Sequence, residues 1–164
     1  MLFFQAYALI AKGVRIVCTN VTGKNAKNVV LRTQGSGSIK DNIVIVSGTK
    51  TLVWLDPLDI CVTDGCRLEG FLSKPRSGSG RASGDQQFVY VNGLPVDMPK
   101  VTKLLNELYK YYNSQKYPMI ILNFILPTTT YDVNVTPDKR KIFLHDEVLL
   151  MSTLRESLKK ILCS

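Results

Sequence analysis

Pro118-Met-Ile-Ile-Leu-Asn-Phe-Ile-Leu-Pro127 is an apolar stretch that lies between two prolines in a chain of 164 residues. Residues 119–126 are apolar except for Asn123. A short run rich in isoleucine and leucine that ends at prolines is typical of a strand buried on both faces. The stretch therefore predicts a strand in the interior of a sheet.

Helices are predicted on both sides of this strand along the chain. Upstream, Asp97 is predicted as an N-cap and Pro99 occupies the first turn, where its missing N–H is tolerated. The apolar face of that helix contains Val101, Leu104, Leu105, Leu108 and Tyr112. Downstream, Asp146 and Glu147 are predicted to begin a C-terminal helix, because carboxylates stabilise the positive N-terminal end of a helix dipole. The apolar face of that helix contains Leu150, Leu154, Leu158 and Ile161.

The remaining elements are shorter. Strands are predicted at residues 14–19, 28–33, 60–62, 68–72, 88–92, 131–136 and 142–144, and the first two form a hairpin. Apolar side chains at helical spacing predict a helix from Leu2 to Ile10, and Ser38 with Asp41 predicts a capped helix that ends near Val46. Residues 47–58 have no clear pattern, and Trp54 is expected to pack. This order predicts an α+β fold with a mixed β-sheet and helices on one side.

One polar segment separates two of the predicted strands. Lys74-Pro-Arg-Ser-Gly-Ser-Gly-Arg-Ala-Ser-Gly-Asp85 is rich in glycine and serine and contains three cations. Such a composition predicts a mobile surface loop.

The charge is basic and unevenly distributed. The chain has 21 Lys and Arg against 13 Asp and Glu, a formal net charge of +8, and residues 1–40 contain six cations and no acid. This excess favours a polyanionic partner: DNA, RNA, nucleotide phosphates or an acidic membrane face. No apolar run approaches the ~20 residues of a membrane helix. A membrane is not among the partners finally expected. Seven cations on the first hairpin and the glycine-rich loop are predicted to contact a phosphate backbone, and they are the DNA-binding residues if that polyanion is DNA: Arg15, Lys24, Lys27, Arg32, Lys74, Arg76 and Arg81.

Several kinds of catalytic site are disfavoured. Neither Gly35-Ser-Gly37 nor Gly78-Ser-Gly80 completes a dinucleotide-binding motif, and no P-loop motif occurs. The single histidine, His145, and the four scattered cysteines argue against zinc, so no metal site is expected. A hydrolase that pairs His145 with a cysteine is the weakest of the alternatives.

Tyr131-Asp-Val-Asn-Val-Thr-Pro-Asp-Lys-Arg140 resembles the D-V-N-V-x-P-x-K motif of the MutL family of DNA mismatch repair proteins. The T-P-D-K-R variant resembles its eukaryotic post-meiotic-segregation branch. Gln87-Phe-Val-Tyr-Val-Asn-Gly93 resembles another strand of that family. Residues 2–20 resemble the helix and strand that join its ATPase domain to the next domain, and residues 96–109 lie in the expected place.

The resemblance implies a fold like domain two of small ribosomal subunit protein five. It implies a terminal helix of a nucleotide-binding domain at 1–12, a transducer and DNA-binding domain at 13–145, and a C-terminal helix at 146–164. It also implies that Lys139 contacts the γ-phosphate of ATP, bound with Mg²⁺ by a neighbouring domain. Double-stranded DNA, a second MutL homologue in a heterodimer and a nuclear location follow from the same resemblance.

The same comparison shows what the chain lacks. The motifs of the nucleotide pocket are not present, so the chain resembles a fragment or a degenerate copy, and whether it takes part in an ATPase stays open. Gln86 and Leu94 replace arginines of the family pattern, and Ser47 replaces a phenylalanine. Loss of the arginine at 94 predicts weaker DNA binding. A stand-alone ribosomal-type RNA-binding domain is the alternative function.

Overall fold

The computed structural model describes residues 2–24, 26–35, 37–76, 78–136 and 140–164. Within it the chain forms two compact units, Met1–Val53 and Trp54–Ser164. The domain boundaries expected from the resemblance, at 12 and 145, stay a prediction.

The first unit contains a hairpin and three helices. Its elements are α1 (Leu2–Ile10), β1 (Val17–Thr22), β2 (Ala26–Arg32), α2 (Ile39–Ser47) and α3 (Thr49–Val53). Ser38 is the predicted N-cap of α2, and its side chain accepts a hydrogen bond from the Lys40 N–H over 3.1 Å. The buried amide of Asn42 donates to the carbonyls of Leu9 and Ala11. Because those carbonyls lie at the end of α1, Asn42 joins α2 to a helix terminus that lacks internal partners.

The second unit is built on a five-stranded sheet. Its strands are β3 (Leu55–Thr63), β4 (Cys66–Ser73), β5 (Gln87–Val91), β6 (Leu94–Pro95) and β7 (Ile120–Ile125), in the order β3-β4-β7-β5-β6. The pairing of β5 with β7 is parallel and the others are antiparallel, so the sheet is mixed. The apolar stretch that ends at Pro127 supplies the central strand, which confirms the prediction.

Two helices of this unit, α4 (Pro99–Lys110) and α5 (Glu147–Cys163), pack on one face of the sheet. Their buried side chains include Leu105 and Leu154, which pack with Leu68, Leu122 and other strand residues in one core. A short 3-10 helix (Thr128–Thr130) precedes a second hairpin, β8 (Tyr131–Val135) with β9 (Arg140–Leu144). The α+β class with helices on one side of a mixed sheet is confirmed.

Three local predictions need correction. Asp97 is not the N-cap of α4; Met98 takes that position without a side-chain hydrogen bond, while the Asp97 N–H donates to the Arg140 carbonyl. Strand β3 extends well before residues 60–62, because Pro57 lies on an edge strand where a missing donor is tolerated. Trp54 is 45% exposed instead of packed.

Candidate nucleic-acid interface

The basic charge is concentrated in the first unit. Residues 1–53 contain seven Lys and Arg against one acid, Asp41, whereas residues 54–164 contain 14 against 12. The net charge is therefore +6 in the first unit and +2 in the second. The longer-range electrostatic attraction of a polyanion is strongest at the first unit.

The β1–β2 hairpin places two of its cations on one face. Lys27 pairs with Val21, and Arg32 pairs with Val17, four residues from Val21 along β1. Because side chains alternate along a strand, partners of residues four apart share a face. A bulge opposite Cys18 and Thr19 shifts the register by one residue, and this shift brings Arg32 to the face of Lys27. Both side chains are exposed.

The other two cations of this unit flank the strands. Lys24 is exposed in the turn between β1 and β2, and Arg15 is exposed before β1. The backbone around Arg15 is held by the buried Thr33. Its hydroxyl accepts from the Ile16 N–H over 2.8 Å and donates to the Val14 carbonyl over 3.3 Å. All four predicted contacts of the first unit are therefore accessible to a phosphate backbone.

The glycine-rich loop hydrogen-bonds to the end of α4 and to the connection that follows it, contacts that its composition did not predict. Arg81 and Tyr117 exchange two backbone hydrogen bonds of 2.8 Å. The Asn113 amide donates to the carbonyls of Arg76 and Ser79, and the Tyr109 hydroxyl donates to that of Lys74. Lys74, Arg76, Ser79 and Arg81 are thus held through their backbone atoms.

Two of the three loop cations face carboxylates of the same unit. Lys74 Nζ lies 3.9 Å from Asp56 Oδ1, and Arg81 Nε lies 3.2 Å from Asp85 Oδ1. The hydrogen bond from Arg81 holds the pKa of Asp85 below its usual value. Sequence reasoning missed both acids, although the four-residue spacing of Arg81 and Asp85 is a detectable signal. Arg76 is exposed.

The residue assigned a phosphate contact, Lys139, lies outside the described residues, as do Pro137 and Asp138. The strand that follows is anchored next to the start of α4. Arg140 accepts from the Asp97 N–H over 2.8 Å, and its guanidinium donates to the Pro95 carbonyl over 3.3 Å. Lys141 is exposed on the outer face of β9.

The three departures from the family pattern occupy different places. Leu94 begins β6 and is 49% exposed beside the Asn92-Gly93 turn. Gln86 is half-buried, and its carbonyl accepts from the Ile120 N–H. Ser47 ends α2, and its carbonyl accepts from the Thr51 hydroxyl over 2.7 Å.

The cysteines and the histidine do not form a nucleophile pair. His145 Nε2 lies 2.9 Å from Asp132 Oδ2. Burial raises the pKa of the Cys66 thiol to about 11, which disfavours the reactive thiolate. All four cysteines, Cys18, Cys61, Cys66 and Cys163, are free thiols.

The described residues do not fit ATP with Mg²⁺. They include no cluster of three metal-ligating side chains. A cavity of about 320 Å³ beside the start of α5 is lined by apolar residues with the acids Asp64 and Asp146, and acids repel a triphosphate. A groove of about 420 Å³ between α4 and α5 contains three cations, and two of them, Lys100 and Arg155, already pair with acids.

Comparison with known sequences identifies the family. Residues 43–163 match the family model described as DNA mismatch repair protein, C-terminal domain. The chain belongs to the DNA mismatch repair family. It is 60% identical to DNA mismatch repair protein PMS1 of Arabidopsis thaliana over 98% of its length and 17% of that protein. It is 41% identical to mismatch repair endonuclease PMS2 of Homo sapiens over 94% of its length and 20% of that protein.

The family extends to bacteria. DNA mismatch repair protein MutL of Syntrophomonas wolfei is 29% identical over 82% of the chain and 23% of that protein. The chain therefore spans about a fifth of the length of these relatives. The comparisons support this family and neither a stand-alone ribosomal-type domain nor a degenerate copy.

Solved structures agree on the fold. The N-terminal domain of a DNA repair protein superposes with a TM-score of 0.90 and 34% identity over 99% of the chain and 52% of that structure. The B-subunit of DNA gyrase from Myxococcus xanthus superposes with a TM-score of 0.51 and 13% identity, covering 98% and 54%, and shows the fold alone. Both agree with a fold like domain two of small ribosomal subunit protein five. No helix among the described residues of this mismatch repair chain is long and apolar enough to span a membrane.

Proposed function

We propose that this chain is a DNA-contacting module of a mismatch repair protein, and that the β1–β2 hairpin binds the phosphate backbone of duplex DNA. The single observation that supports this most is the placement of Lys27 and Arg32 on one exposed face in a unit of net charge +6. Contacts of this kind position DNA without reading its sequence. Binding is therefore expected to be independent of sequence.

The loop cations form a second proposed DNA contact, within the second unit. Arg76 is exposed, whereas Lys74 and Arg81 each face a carboxylate. A cation that already has a carboxylate partner gains less from a phosphate, because the two anions compete for it. We therefore expect Arg76 to contribute more than Lys74 or Arg81.

The family membership supports a second role. Lys139 would contact the γ-phosphate of ATP that is bound with Mg²⁺ elsewhere in a complete mismatch repair protein, since the described residues of this chain do not fit the nucleotide. The isolated chain is expected not to hydrolyse ATP. We further propose a heterodimer with a second MutL homologue and a location in the nucleus, because relatives from plants, animals and fungi are named as mismatch repair proteins.

The salt dependence of duplex binding tests the DNA contact. Each neutralised phosphate contributes about −0.9 to the slope of log K against log salt. In the double variant Lys27→Ala and Arg32→Ala, the slope should become shallower by about 1.8 if both contacts are made. Lys159→Ala with Lys160→Ala on α5 removes the same charge elsewhere and is the matched control.

Two results would contradict the proposal. A flat salt dependence would exclude a phosphate interface, and an equal loss in both double variants would exclude a specific role for the hairpin. Tighter binding to structured RNA than to duplex DNA would instead favour the ribosomal-type alternative.

A further inference from the structure

A cavity of about 320 Å³ lies where three segments of the second unit meet. These segments are the turn between β3 and β4, the 3-10 helix after β7 and the start of α5. Most of the lining is apolar, and Asp64 and Asp146 are the charged side chains among the described residues that line it. This space is called the acidic cavity below.

Contacts between the three segments fix the walls of the acidic cavity. The turn between β3 and β4 lies against the segment after β7, since a Cβ added to Gly65 would lie 3.6 Å from the Pro127 side chain. The His145 N–H donates to the Thr130 carbonyl over 3.0 Å, which joins the start of α5 to the 3-10 helix. The cavity is therefore a built feature of the second unit.

The two acids of the cavity differ from most other acids of this unit. Among the described residues, the side chains of Asp64 and Asp146 make no ion pair and no hydrogen bond. Asp146 takes the N-cap position of α5 and yet does not cap the helix. Other acids of the unit already pair with a lysine or an arginine: Asp56, Asp59, Asp85, Glu107, Glu147 and Glu156. The unpaired carboxylates thus meet at one place, and its lining is apolar.

The apolar lining reaches the surface at the rim of the cavity. Leu149 lines it and is 51% exposed, and Pro127 on the opposite wall is also exposed. A ligand that is only cationic would leave this apolar surface in water. A ligand that is only apolar would remove water from the carboxylates without giving them a partner, which costs free energy. The complementary ligand therefore has an apolar group next to a cation.

The volume and the charge of the cavity narrow the class of ligand. A volume of about 320 Å³ is at the lower end of the roughly 300–1,000 Å³ of small-ligand sites, so it admits one or two side chains and not a whole helix. Nucleic acid is disfavoured, because its phosphates would approach two carboxylates.

We propose that the acidic cavity is the docking site for a basic segment of a partner protein. An apolar side chain of that segment fills the cavity, and an adjacent arginine or lysine pairs with Asp64 and Asp146. This site shares no residue with the proposed DNA contacts, so the chain would bind DNA and the partner at the same time.

Titration of the full chain with three capped pentapeptides, followed by the NMR signals of its backbone amides, tests the proposal. All three peptides have glycine at both ends, and their centres are arginine-leucine-arginine, arginine-glycine-arginine and glutamate-leucine-glutamate. The first peptide should shift the signals of Gly65 and Leu149 with the highest affinity. The second should bind there more weakly, because it lacks the apolar side chain, and the third should leave both signals in place.

Variants of the two acids test the charged part of the site. Asp64→Asn with Asp146→Asn should weaken binding of the arginine-leucine-arginine peptide roughly 2- to 30-fold, the range for two exposed ion pairs. Folding should be retained, because asparagine suits both a turn before glycine and a helix N-cap. Asp59→Asn with Glu156→Gln is the matched control: it removes the same charge from acids that already have partners, and the affinity should not change.

Leu149→Ser tests the apolar part of the site. The side chain is half exposed, so its replacement leaves the core in place. The variant should bind the arginine-leucine-arginine peptide no more tightly than the natural chain binds the glycine-centred peptide. Its melting temperature checks that it is folded.

The proposal is overturned if the glutamate peptide shifts the signals of Gly65 and Leu149 as strongly as the arginine-leucine-arginine peptide does, or if the two double variants bind the latter equally well. Self-association of the natural chain in sedimentation, lost in Asp64→Asn with Asp146→Asn, would identify a second copy of the chain as the occupant. That result would also overturn the proposal of a different partner protein.

Discussion

The side-chain amide of Asn92 donates hydrogen bonds of 2.8 Å to the Tyr131 hydroxyl and to the Leu126 carbonyl. Asn92 has a φ of 48°, a left-handed conformation that asparagine tolerates better than most residues. The amide oxygen of Asn123 accepts from the neighbouring Gly93 N–H. Together these bonds join the β5–β6 turn to the start of β8, so the position of Leu94 relative to the D-V-N-V strand is fixed.

Leu94→Arg is expected to strengthen duplex binding. The position is exposed on an anchored turn, and the family pattern has a DNA-contacting arginine there. One well-formed charged contact contributes about 1.5–3 kcal/mol, which corresponds to roughly ten- to a hundredfold in affinity at low salt. Val148→Arg adds the same charge at an exposed position of α5 and is the matched control. Equal effects of the two variants in a filter-binding titration would refute a specific contact at 94.

Asp85→Asn is expected to increase the affinity of the loop for polyanions. The substitution removes the carboxylate that accepts from Arg81 and leaves a similar shape. The freed guanidinium should make the salt slope for duplex DNA steeper by about 0.9 if it gains one phosphate. The double variant Asp85→Asn with Arg81→Ala should not show the steeper slope, because it lacks the guanidinium. An unchanged slope in Asp85→Asn would mean that Arg81 does not face DNA.

Lys139→Ala is expected to lower ATP hydrolysis in a chimera. In that chimera, residues 1–164 replace the second domain of a close mismatch repair relative and the relative supplies the nucleotide pocket. A preorganised cation at a phosphate acts on the charge that shifts during transfer, and losing one such donor costs about 2.7–4 kcal/mol, a hundred- to a thousandfold in rate. Nucleotide binding should fall less than the rate.

Arg140→Ala and Lys141→Ala are the controls for that chimera, because they remove neighbouring charge without removing the assigned contact. Equal small effects of all three substitutions would mean that Lys139 makes no specific contact with the γ-phosphate and that the turn contributes only general positive charge. The conclusions on the fold and the family would not be affected.

Gly70→Ala is expected to destabilise the second unit. Gly70 has a φ of 145°, and a Cβ there would lie 1.9 Å from the Ile121 carbonyl oxygen on the central strand. Strands β4 and β7 would have to separate, at a cost of about 3 kcal/mol or more. A loss of that size lowers the melting temperature by roughly 10–15 °C in a unit of this length, at about 2.1 cal/mol/K of unfolding entropy per residue. Gly84→Ala is the control, since it meets only the flexible Gln87 side chain. Equal melting temperatures would disprove the clash.

Local patterns predicted the elements whose information lies within a few residues. The central strand, the apolar face of α5 and the Ser38 cap follow from short-range spacing, and each is confirmed. The apolar face of α4 is confirmed except at its end, where Tyr109 is buried and the predicted Tyr112 lies beyond the helix and is 38% exposed. Asp97 was assigned as a cap by the same kind of pattern, but the pairing of its N–H with Arg140, 43 positions away, depends on tertiary structure. The length of β3 was also underestimated, because its edge position makes Pro57 acceptable and no local signal reveals an edge.

The candidate interface was predicted in composition and not in arrangement. The basic residues of the hairpin are evident in the sequence. Their placement on a common face depends on a β-bulge, which the residue types around it do not predict. The fixed course of the loop depends on Tyr109, Asn113 and Tyr117, which are more than 30 residues away from the loop residues that they bind. The glycine and serine content of the loop therefore gave no indication of these long-range contacts.

The bulge in the β1–β2 hairpin also bears on changes in chain length. Lys27 and Arg32 are five positions apart, so in a regular strand of the same length, without the bulge, they would point to opposite faces. Deletion of Val30 would close the bulge and bring the two cations to an even spacing, in which they would again share a face on a straighter ribbon. Moving Arg32 by one position along β2 without a deletion would place the two cations on opposite faces. In this hairpin, deletion of Val30 can therefore be milder than a pair of substitutions that keeps the length and moves one cation to the next position.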